Sequence, residues 1–264
     1  PYSMNIFNPK KGLVVTLEDS IFLDTDEGRI SQNIDNWSVS KIKRMGADAV
    51  KVLAWYRPDA GKRVLEAQQL YVQKIGDECA KHDILFLFEL LVYPLSRDIH
   101  QTKEYVEMQN KKTVHVLESV REFSDKKYGI DVFKLESPVN VNKISDSDLN
   151  SFKEMGEIAG RPWVMLSAGA GKKEFKQVLR LAFKAGCSGF LAGRAIWLDA
   201  FMHYPNWEKI QTQLESNAKD YLYEIGEIAN EAALSWHNHV CYGKDGSKFP
   251  YDNHEFRLQY NGIE

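Results

Sequence analysis

The sequence predicts an α/β protein in which helices cover both faces of a parallel β-sheet. Apolar, strand-like runs alternate with segments of helical periodicity through most of the 264 residues, as expected for successive strand–helix units. The runs are almost continuously apolar, which is typical of strands buried on both faces. Polar and small residues collect where these runs end, and in a (β/α)8 barrel that end of the strands carries the active site. We therefore expect a (β/α)8 barrel. The competing architecture, a doubly wound sheet, is disfavoured because no glycine-rich first turn of the dinucleotide-binding kind is found.

Three strands are expected in the first half of the chain. Residues 12–19 form a short apolar run that ends in carboxylates, and a loop rich in Asp and Gly follows to residue 35. Residues 48–56 form the second strand, which carries Lys51 among apolar neighbours. Residues 84–91 form the third strand, in which Glu89 interrupts the apolar run. Both charges lie where a covered sheet tolerates them poorly.

Three more strands are expected in the second half. Residues 130–139 form an apolar run with Lys134 at its centre, and Pro138 ends the strand because proline cannot donate to the sheet ladder. The runs at residues 162–169 and 188–195 both end in small residues.

Apolar residues at helical spacing predict a helix after each strand. Tyr71, Ile75 and Cys79 give one helix its apolar stripe, and Gly46 ends another. The expected helices lie at about 37–46, 65–82, 105–123, 147–159, 172–185 and 207–234.

Six strands fall short of the eight in a closed barrel. We therefore expect that two strand–helix units precede Pro1. Residues 1–234 are assigned to the barrel domain, and residues 235–264 to a C-terminal tail that packs on the barrel, because the tail shows no clear periodicity.

Composition favours a cytoplasmic protein. A net charge of −3 and a pI near 6.2 give no reason to expect nucleic acid or a membrane surface as a partner. Three widely spaced cysteines indicate a reducing compartment. No apolar run approaches the roughly 20 residues of a membrane span. The oligomeric state is left open, a homo-oligomer included.

Lys51, Glu89 and Lys134 are the candidate catalytic residues, because each lies within a run that is otherwise too apolar for a charge. A buried lysine loses hydration, and a second cation nearby also favours the neutral amine that can attack a carbonyl. A carboxylate beside it can shuttle protons. The three residues together suit Schiff-base chemistry, which needs no metal or other cofactor. The alternative is a structural ion pair without catalysis.

Ser167, Gly169, Gly193 and Arg194 are the candidate phosphate-binding residues. They lie at the ends of the last two expected strands, where barrels of this type commonly bind phosphate. Glycines allow backbone N–H groups to approach phosphate oxygens, and an arginine can add a charge-assisted hydrogen bond. The alternative is tightly packed glycines beside a surface arginine.

Five stretches of this chain carry a family resemblance. They are residues 46–53, the strand around Phe88 and Glu89, and residues 131–140, 162–169 and 189–197. In these stretches, which follow in the right order, the chain resembles class I aldolases of the tagatose-bisphosphate type and, about as closely, sulfofructose-phosphate aldolases. The resemblance implies a (β/α)8 barrel, a sugar-phosphate substrate and dihydroxyacetone phosphate as a product.

The resemblance also implies roles for individual residues. Lys134 is expected to form the imine, Glu89 to act as acid and base, and Lys51 to support the site. The four candidate phosphate-binding residues are expected to hold the phosphate of dihydroxyacetone phosphate. Arg57, which follows the Lys51 strand, is the candidate contact for a terminal phosphate or sulfonate, and a cation alone cannot distinguish these two anions.

Two other functions stay open at this point. A non-catalytic sugar-phosphate sensor would keep the same barrel and bind without turnover. A phosphate-binding isomerase would use a single base, which suits two lysines and a glutamate poorly.

In the tail, four residues have side chains that can bind a metal, but their spacing is a poor match for a metal site. They are His237, His239, Cys241 and His254.

Overall fold

A curled parallel sheet is the centre of the computed structural model, which describes residue 8 and residues 10–95, 97–98 and 113–247. The sheet has six strands in the order β1-β4-β5-β6-β7-β8, and all neighbours run parallel. The remaining two strands, β2 and β3, form an antiparallel hairpin. The eight strands are β1 Val14–Thr16, β2 Leu23–Thr25, β3 Gly28–Ile30, β4 Ala49–Trp55, β5 Leu85–Leu91, β6 Val132–Leu135, β7 Trp163–Leu166 and β8 Phe190–Leu191. This confirms the predicted α/β class and the predicted parallel sheet.

Helices lie between the successive strands of the parallel sheet, as βα units require. They are α1 Val39–Arg44, α2 Lys62–Lys81, α3 Thr113–Phe123, α4 Leu149–Ala159, α5 Lys172–Lys184, α6 Arg194–Phe201, α7 Trp207–Gln213 and α8 Lys219–Ala232. A single π-helical segment, Leu214–Ala218, joins α7 to α8. Within the part of the chain that the structure describes, none of these helices has the length and apolar character to cross a membrane.

The two faces of the sheet are both buried but differ in composition. Alternate residues of the strands, such as Val52, Phe88 and Phe133, face the helices and belong to one large apolar cluster. There Phe88 packs on Phe123 of α3, with ring centroids 4.9 Å apart. The other face, called the inner face below, has a smaller apolar cluster that includes Leu53. The charged residues of the strands lie on this inner face because side chains alternate along a strand.

Two local expectations were wrong. Residues 188–195 do not form one long strand, because β8 has only two residues and α6 begins at Arg194. The loop expected at residues 20–35 contains the β2–β3 hairpin. Its turn is closed by Thr25, whose hydroxyl donates to the Gly28 carbonyl at 2.7 Å and accepts from the Gly28 N–H at 3.1 Å. Three-residue strands are too short to show periodicity in a sequence.

The helix expected at 105–123 is described only from Thr113 onward, and residues 105–112 lie outside the described part of the chain. The other predicted helices agree with the structure to within a few residues, which is the usual uncertainty of helix ends.

A close backbone contact of Gly76 in α2 gives a first test of the fold. A Cβ atom at this position would lie 2.1 Å from the carbonyl oxygen of Tyr128, so Gly76→Ala must push the Tyr128 backbone away from α2. We expect the free energy of unfolding to fall by about 1–3 kcal/mol, measured by urea denaturation.

Gly226→Ala in α8 is the matched control, because a Cβ atom there meets nothing within 4 Å. Alanine in an open helix interior is expected to raise stability by about 0.5–1 kcal/mol. Equal effects of the two substitutions would contradict the contact between α2 and the backbone at Tyr128.

Candidate active site

Four charged side chains form a continuous chain of ion pairs on the inner face. Lys134 Nζ lies 2.8 Å from Glu89 Oε1, and the second oxygen, Glu89 Oε2, lies 2.7 Å from Lys51 Nζ. Lys51 Nζ also pairs with Glu18 Oε1. The side chain of Glu89 is only 6% exposed, whereas those of Lys134 and Lys51 are 17% and 19% exposed. The structure thus brings the three candidate catalytic residues together, with the carboxylate between the two amines.

Strand register places these groups side by side. Glu89 of β5 pairs directly with Lys134 of β6, and neighbouring strands lie only about 4.8 Å apart. Lys51 of β4 pairs with Leu87, one inner-face position before Glu89, so its longer side chain reaches forward to the carboxylate. The parallel sheet therefore assembles the group from three separate strands.

Electrostatics keep Glu89 and Lys51 ionised. Burial favours the neutral form of Glu89, but the two ammonium groups outweigh it and lower the pKa of this carboxyl below its ordinary value. Burial likewise works against the charged form of Lys51, but Glu89 and Glu18 outweigh it and raise the pKa of this amine. Pairing with the two carboxylates thus favours the charged form of Lys51, whereas burial alone would favour the neutral amine.

Glu18 was not singled out from the sequence as a site residue. It follows β1, and its Oε2 accepts a hydrogen bond of 2.6 Å from the hydroxyl of Thr16. The sequence contained a signal, because Glu18 ends an apolar strand in the same manner as the other candidates. Its partner Lys51 is 33 residues away, a contact that no local pattern reveals.

A cavity of about 450 Å³ opens beside Lys51 and Glu18. It lies against β1 and β4, and its floor includes the inner-face residues Leu53 and Trp55. The paired charges are thus accessible to a small molecule.

The candidate phosphate-binding residues lie in two neighbouring turns. β7 and β8 are paired, and Ser167 and Gly193 follow these strands within two residues. In the first turn Ala168 and Gly169 both have positive φ values, 46° and 69°, and Ala170 donates its N–H to the Ser167 carbonyl at 2.8 Å. A left-handed alanine is strained, as is common at binding sites.

The second turn leads directly into a helix. Gly193 is the N-cap residue of α6 and Arg194 is the first helical residue. The arginine therefore lies at the positive end of a helix, rather than at the end of a strand as the sequence predicted. The two turns follow neighbouring strands, so Ser167, Gly169, Gly193 and Arg194 all lie just beyond the carboxyl ends of β7 and β8.

Arg57 is held in a separate ion-pair network. Its side chain is 4% exposed. Nε donates to Asp59 Oδ1 at 2.7 Å, Nη1 donates to the Tyr93 carbonyl at 3.1 Å, and Asp98 accepts from both terminal nitrogens. Burial works against the charged guanidinium, but the two carboxylates outweigh it and raise the pKa of Arg57. The network ties the segment after β4 to the segment after β5, and the structure does not bring Arg57 into the group at Glu89.

A second buried carboxylate supports the same segment. Glu136, two residues after Lys134, accepts the N–H of Val92 at 2.7 Å. Glu136 is 1% exposed. Its hydrogen bond fixes the backbone at Val92, directly after β5, the strand that carries Glu89.

The described part of the tail lies against the opposite, amino-terminal end of the strands. Leu234 donates its N–H to the Cys187 carbonyl at 3.0 Å. Trp236 and Tyr242 line a cavity of about 680 Å³ together with Asp131 and Arg161. Its lining also includes Val132 and Val164, and Val164 is the β7 partner of Lys134 in the sheet, so the cavity reaches the inner face below the group at Glu89.

The tail histidines make local hydrogen bonds. His237 Nδ1 lies 2.8 Å from the Ser247 hydroxyl, and His239 Nδ1 accepts the Cys241 N–H at 3.2 Å. No cluster of metal-ligand residues is found within the described residues, and His254 lies outside them.

Comparison with known proteins gives consistent matches over most of the chain. The model of the DeoC/LacD family aldolases matches residues 6–199. Tagatose 1,6-diphosphate aldolase 1 of Enterococcus faecalis is 32% identical over 238 residues, which cover 85% of this chain and 72% of that protein. Tagatose 1,6-diphosphate aldolase 2 of Streptococcus agalactiae is 30% identical over 244 residues, covering 87% and 74%.

Solved structures with the same fold include an archaeal fructose-1,6-bisphosphate aldolase whose catalytic lysine is bound to the carbinolamine intermediate. It superimposes with a TM-score of 0.58 at 17% identity, covering 86% of this chain and 74% of that one. At this identity the likeness concerns the fold alone.

The lowered pKa of Glu89 predicts a specific acid sensitivity. A carboxyl whose pKa is lower in the folded than in the unfolded state adds stability above its ordinary pKa, about 4.3, and loses it as the pH falls. We expect the free energy of unfolding to decrease between pH 6 and pH 3 by less in Glu89→Gln than in the unmodified protein. At pH 7 the same substitution should cost about 3–5 kcal/mol, because it leaves two partly buried ammonium groups without their shared carboxylate.

Glu224→Gln is the control for this measurement, because Glu224 forms an exposed pair with Lys176 at 2.6 Å. Such pairs contribute about 0–1 kcal/mol. Parallel pH profiles for Glu89→Gln and the unmodified protein would rule out a stabilising, ionised Glu89.

Proposed function

The chain belongs to the DeoC/LacD family of aldolases, and from this we propose that it cleaves a phosphorylated ketose to dihydroxyacetone phosphate and a three-carbon aldehyde through an imine on Lys134. The observation that carries the proposal is the shared carboxylate. Glu89 lies 2.8 Å from Lys134 and 2.7 Å from Lys51, so a nucleophile, a base and a fixed positive charge meet at one point. Class I aldol chemistry needs these three elements.

Imine formation begins at Lys134. Its Nζ, once deprotonated, adds to the C2 carbonyl carbon of the ketose, and the resulting carbinolamine loses water to give a protonated imine. Glu89 Oε1 is within hydrogen-bonding distance of that nitrogen. It can therefore accept the lysine proton and return it to the departing hydroxyl.

Carbon–carbon cleavage then uses the imine as an electron sink. The C4 hydroxyl gives its proton to Glu89 and becomes the carbonyl of the aldehyde, while the C3–C4 electron pair moves into the imine and forms an enamine. Protonation of the enamine at C3 and hydrolysis by one water release dihydroxyacetone phosphate and regenerate Lys134. Glu89 is the proposed base and acid of both proton transfers.

Lys51 is proposed to hold Glu89 in its ionised, base-competent form. The raised pKa of Lys51 and the lowered pKa of Glu89 both follow from their pairing. A carboxylate with a strongly buried side chain would otherwise tend to be protonated. The role of Lys51 is therefore electrostatic.

Ser167, Gly169, Gly193 and Arg194 are proposed to bind the phosphate next to C1. Support comes from their two adjacent turns and from the helix N-terminus at Arg194. Arg57 is proposed to brace the segments after β4 and β5, because its guanidinium is already bound by Asp59 and Asp98.

The wider organisation is also a proposal. We assign residues 1–234, which contain the six-stranded sheet, to a (β/α)8 barrel domain, and residues 235–264 to a tail that packs on the barrel. Trp236 and Tyr242 of the tail line a cavity together with Asp131 and Arg161 of the barrel, which supports that assignment. The expected cytoplasmic location stays a prediction, and a homo-oligomer stays among the expected oligomeric states.

Borohydride reduction in the presence of dihydroxyacetone phosphate tests the proposal directly. Reduction converts an imine into a stable secondary amine, and peptide mapping should locate the added mass on Lys134. Lys134→Met should take up no adduct and should lose cleavage activity by on the order of 10³-fold or more, while its circular dichroism spectrum stays that of the folded protein.

Lys176→Met, which removes a lysine of the exposed pair on α5, is the control and should behave as the unmodified protein. An adduct on Lys51 would instead identify Lys51 as the lysine that forms the imine. No adduct on any lysine of a folded protein would favour the sensor, which binds a sugar phosphate without turnover.

A further inference from the structure

The cavity beside Lys51 has a polar lining that fits sugar hydroxyl groups. Hydroxyls and carboxylates predominate among its polar residues, which are Thr16, Glu18, Asp19, Ser20, Ser31 and Lys51. Hydroxyl and carboxylate oxygens accept hydrogen bonds from a polyol, and the serine and threonine hydroxyls also donate.

The cavity lies on the side of Lys134 where the far end of the substrate must extend. In the sheet order β1-β4-β5-β6-β7-β8, Lys134 is on β6, and the proposed phosphate turns follow β7 and β8. The cavity lies against β1 and β4, on the other side of Lys134. The strands β4 and β6 are two strand spacings apart, about 10 Å. A ketose bound through C2 at Lys134, with its C1 phosphate toward β7, therefore directs its carbons C4 to C6 toward this cavity.

The charge of this lining is unfavourable to a second anion. It contains two carboxylates, Glu18 and Asp19, and one ammonium group, Lys51. That ammonium group is already paired with both Glu18 and Glu89. A phosphate or sulfonate placed here would face a net negative lining at short range, where repulsion is substantial.

Two arginines near this end of the sheet are enclosed rather than presented to the cavity. Arg57 is bound by two carboxylates, as described above. Arg29 is 1% exposed, and its guanidinium carbon lies 4.4 Å from the ring centroid of Phe22 and 4.8 Å from that of Trp55. Because both rings also line the cavity, they separate this cation from a bound molecule.

We infer that the substrate is a ketose monophosphate, with its only anionic group at C1 and an uncharged polyol chain in the cavity beside Lys51. This inference rests on the proposed aldolase function. It separates the chain from relatives whose names specify a 1,6-diphosphate substrate, and it makes the lining of this cavity the determinant of specificity.

Cleavage kinetics with two matched compounds test the inference. Release of dihydroxyacetone phosphate is measured with D-tagatose 1-phosphate and with D-tagatose 1,6-bisphosphate, which share this product. We expect kcat/KM for the bisphosphate to be lower than for the monophosphate. A higher value for the bisphosphate would overturn the inference.

Asp19→Asn tests the cause of the selectivity. Asp19 Oδ1 accepts the Ile21 N–H at 2.9 Å, and asparagine keeps this acceptor while it removes the charge. The ratio of the bisphosphate to the monophosphate kcat/KM should rise by about 3- to 10-fold, as expected for the loss of one nearby like charge. Asp220→Asn, on the exposed surface of α8, is the control and should leave the ratio unchanged. An unchanged ratio in Asp19→Asn would show that the far end of the substrate does not bind in this cavity.

The borohydride experiment separates the two levels of failure. An imine on Lys134 together with preference for the bisphosphate, or with cleavage of neither compound, would overturn the substrate inference alone. Absence of an imine would overturn the aldolase proposal, and the substrate inference would fall with it.

Discussion

The buried carboxylate of Glu89 is the constraint on which the rest of the site depends. Glu89 lies within a parallel sheet and is only 4% exposed, so its ionised side chain must find a partner of opposite charge. Glu89 finds two, on the strands to either side. This arrangement fixes the relative register of β4, β5 and β6 as a functional requirement, because a shift of one residue would turn these side chains toward the helices.

Pairing also divides the work between the two lysines. Lys51 is bound by two carboxylates and is held in its charged form, so it suits an electrostatic role. Lys134 shares one carboxylate and has its nitrogen beside the oxygen that can take its proton. The two lysines therefore differ in their chemical role because Lys51 contacts two carboxylates and Lys134 contacts one. The lining of the cavity beside Lys51 is likewise unbalanced in charge, because its two carboxylates, Glu18 and Asp19, outnumber its one ammonium group, Lys51.

A second ion-pair network holds the segments around this group. Arg57, Asp59 and Asp98 connect the chain after β4 with the chain after β5, and Glu136 fixes Val92 at the end of β5. The Arg57 guanidinium is buried and bound by both carboxylates, so it braces these segments and has little capacity left for a ligand. The apolar face toward the helices supplies the bulk of the core, which leaves the inner face free to carry charge.

The sequence by itself determined the order of the parallel strands and their helices, and it singled out the three charged residues that meet on the inner face, because a lysine or glutamate inside an apolar run is a local signal of burial. Only the tertiary structure decided the partners of these charges. Arg57 reads as a free cation after a strand until the fold brings Asp98, 41 residues away, to its guanidinium. Glu18 gains its role only through Lys51, and the short β8 and the β2–β3 hairpin have too few residues for a periodic pattern. The burial of a residue is encoded locally, in the type of the residue and its neighbours. The neutralisation of a buried charge and the shape of a cavity depend on residues distant in the chain, so no short window of sequence contains both partners of an ion pair such as Arg57 and Asp98.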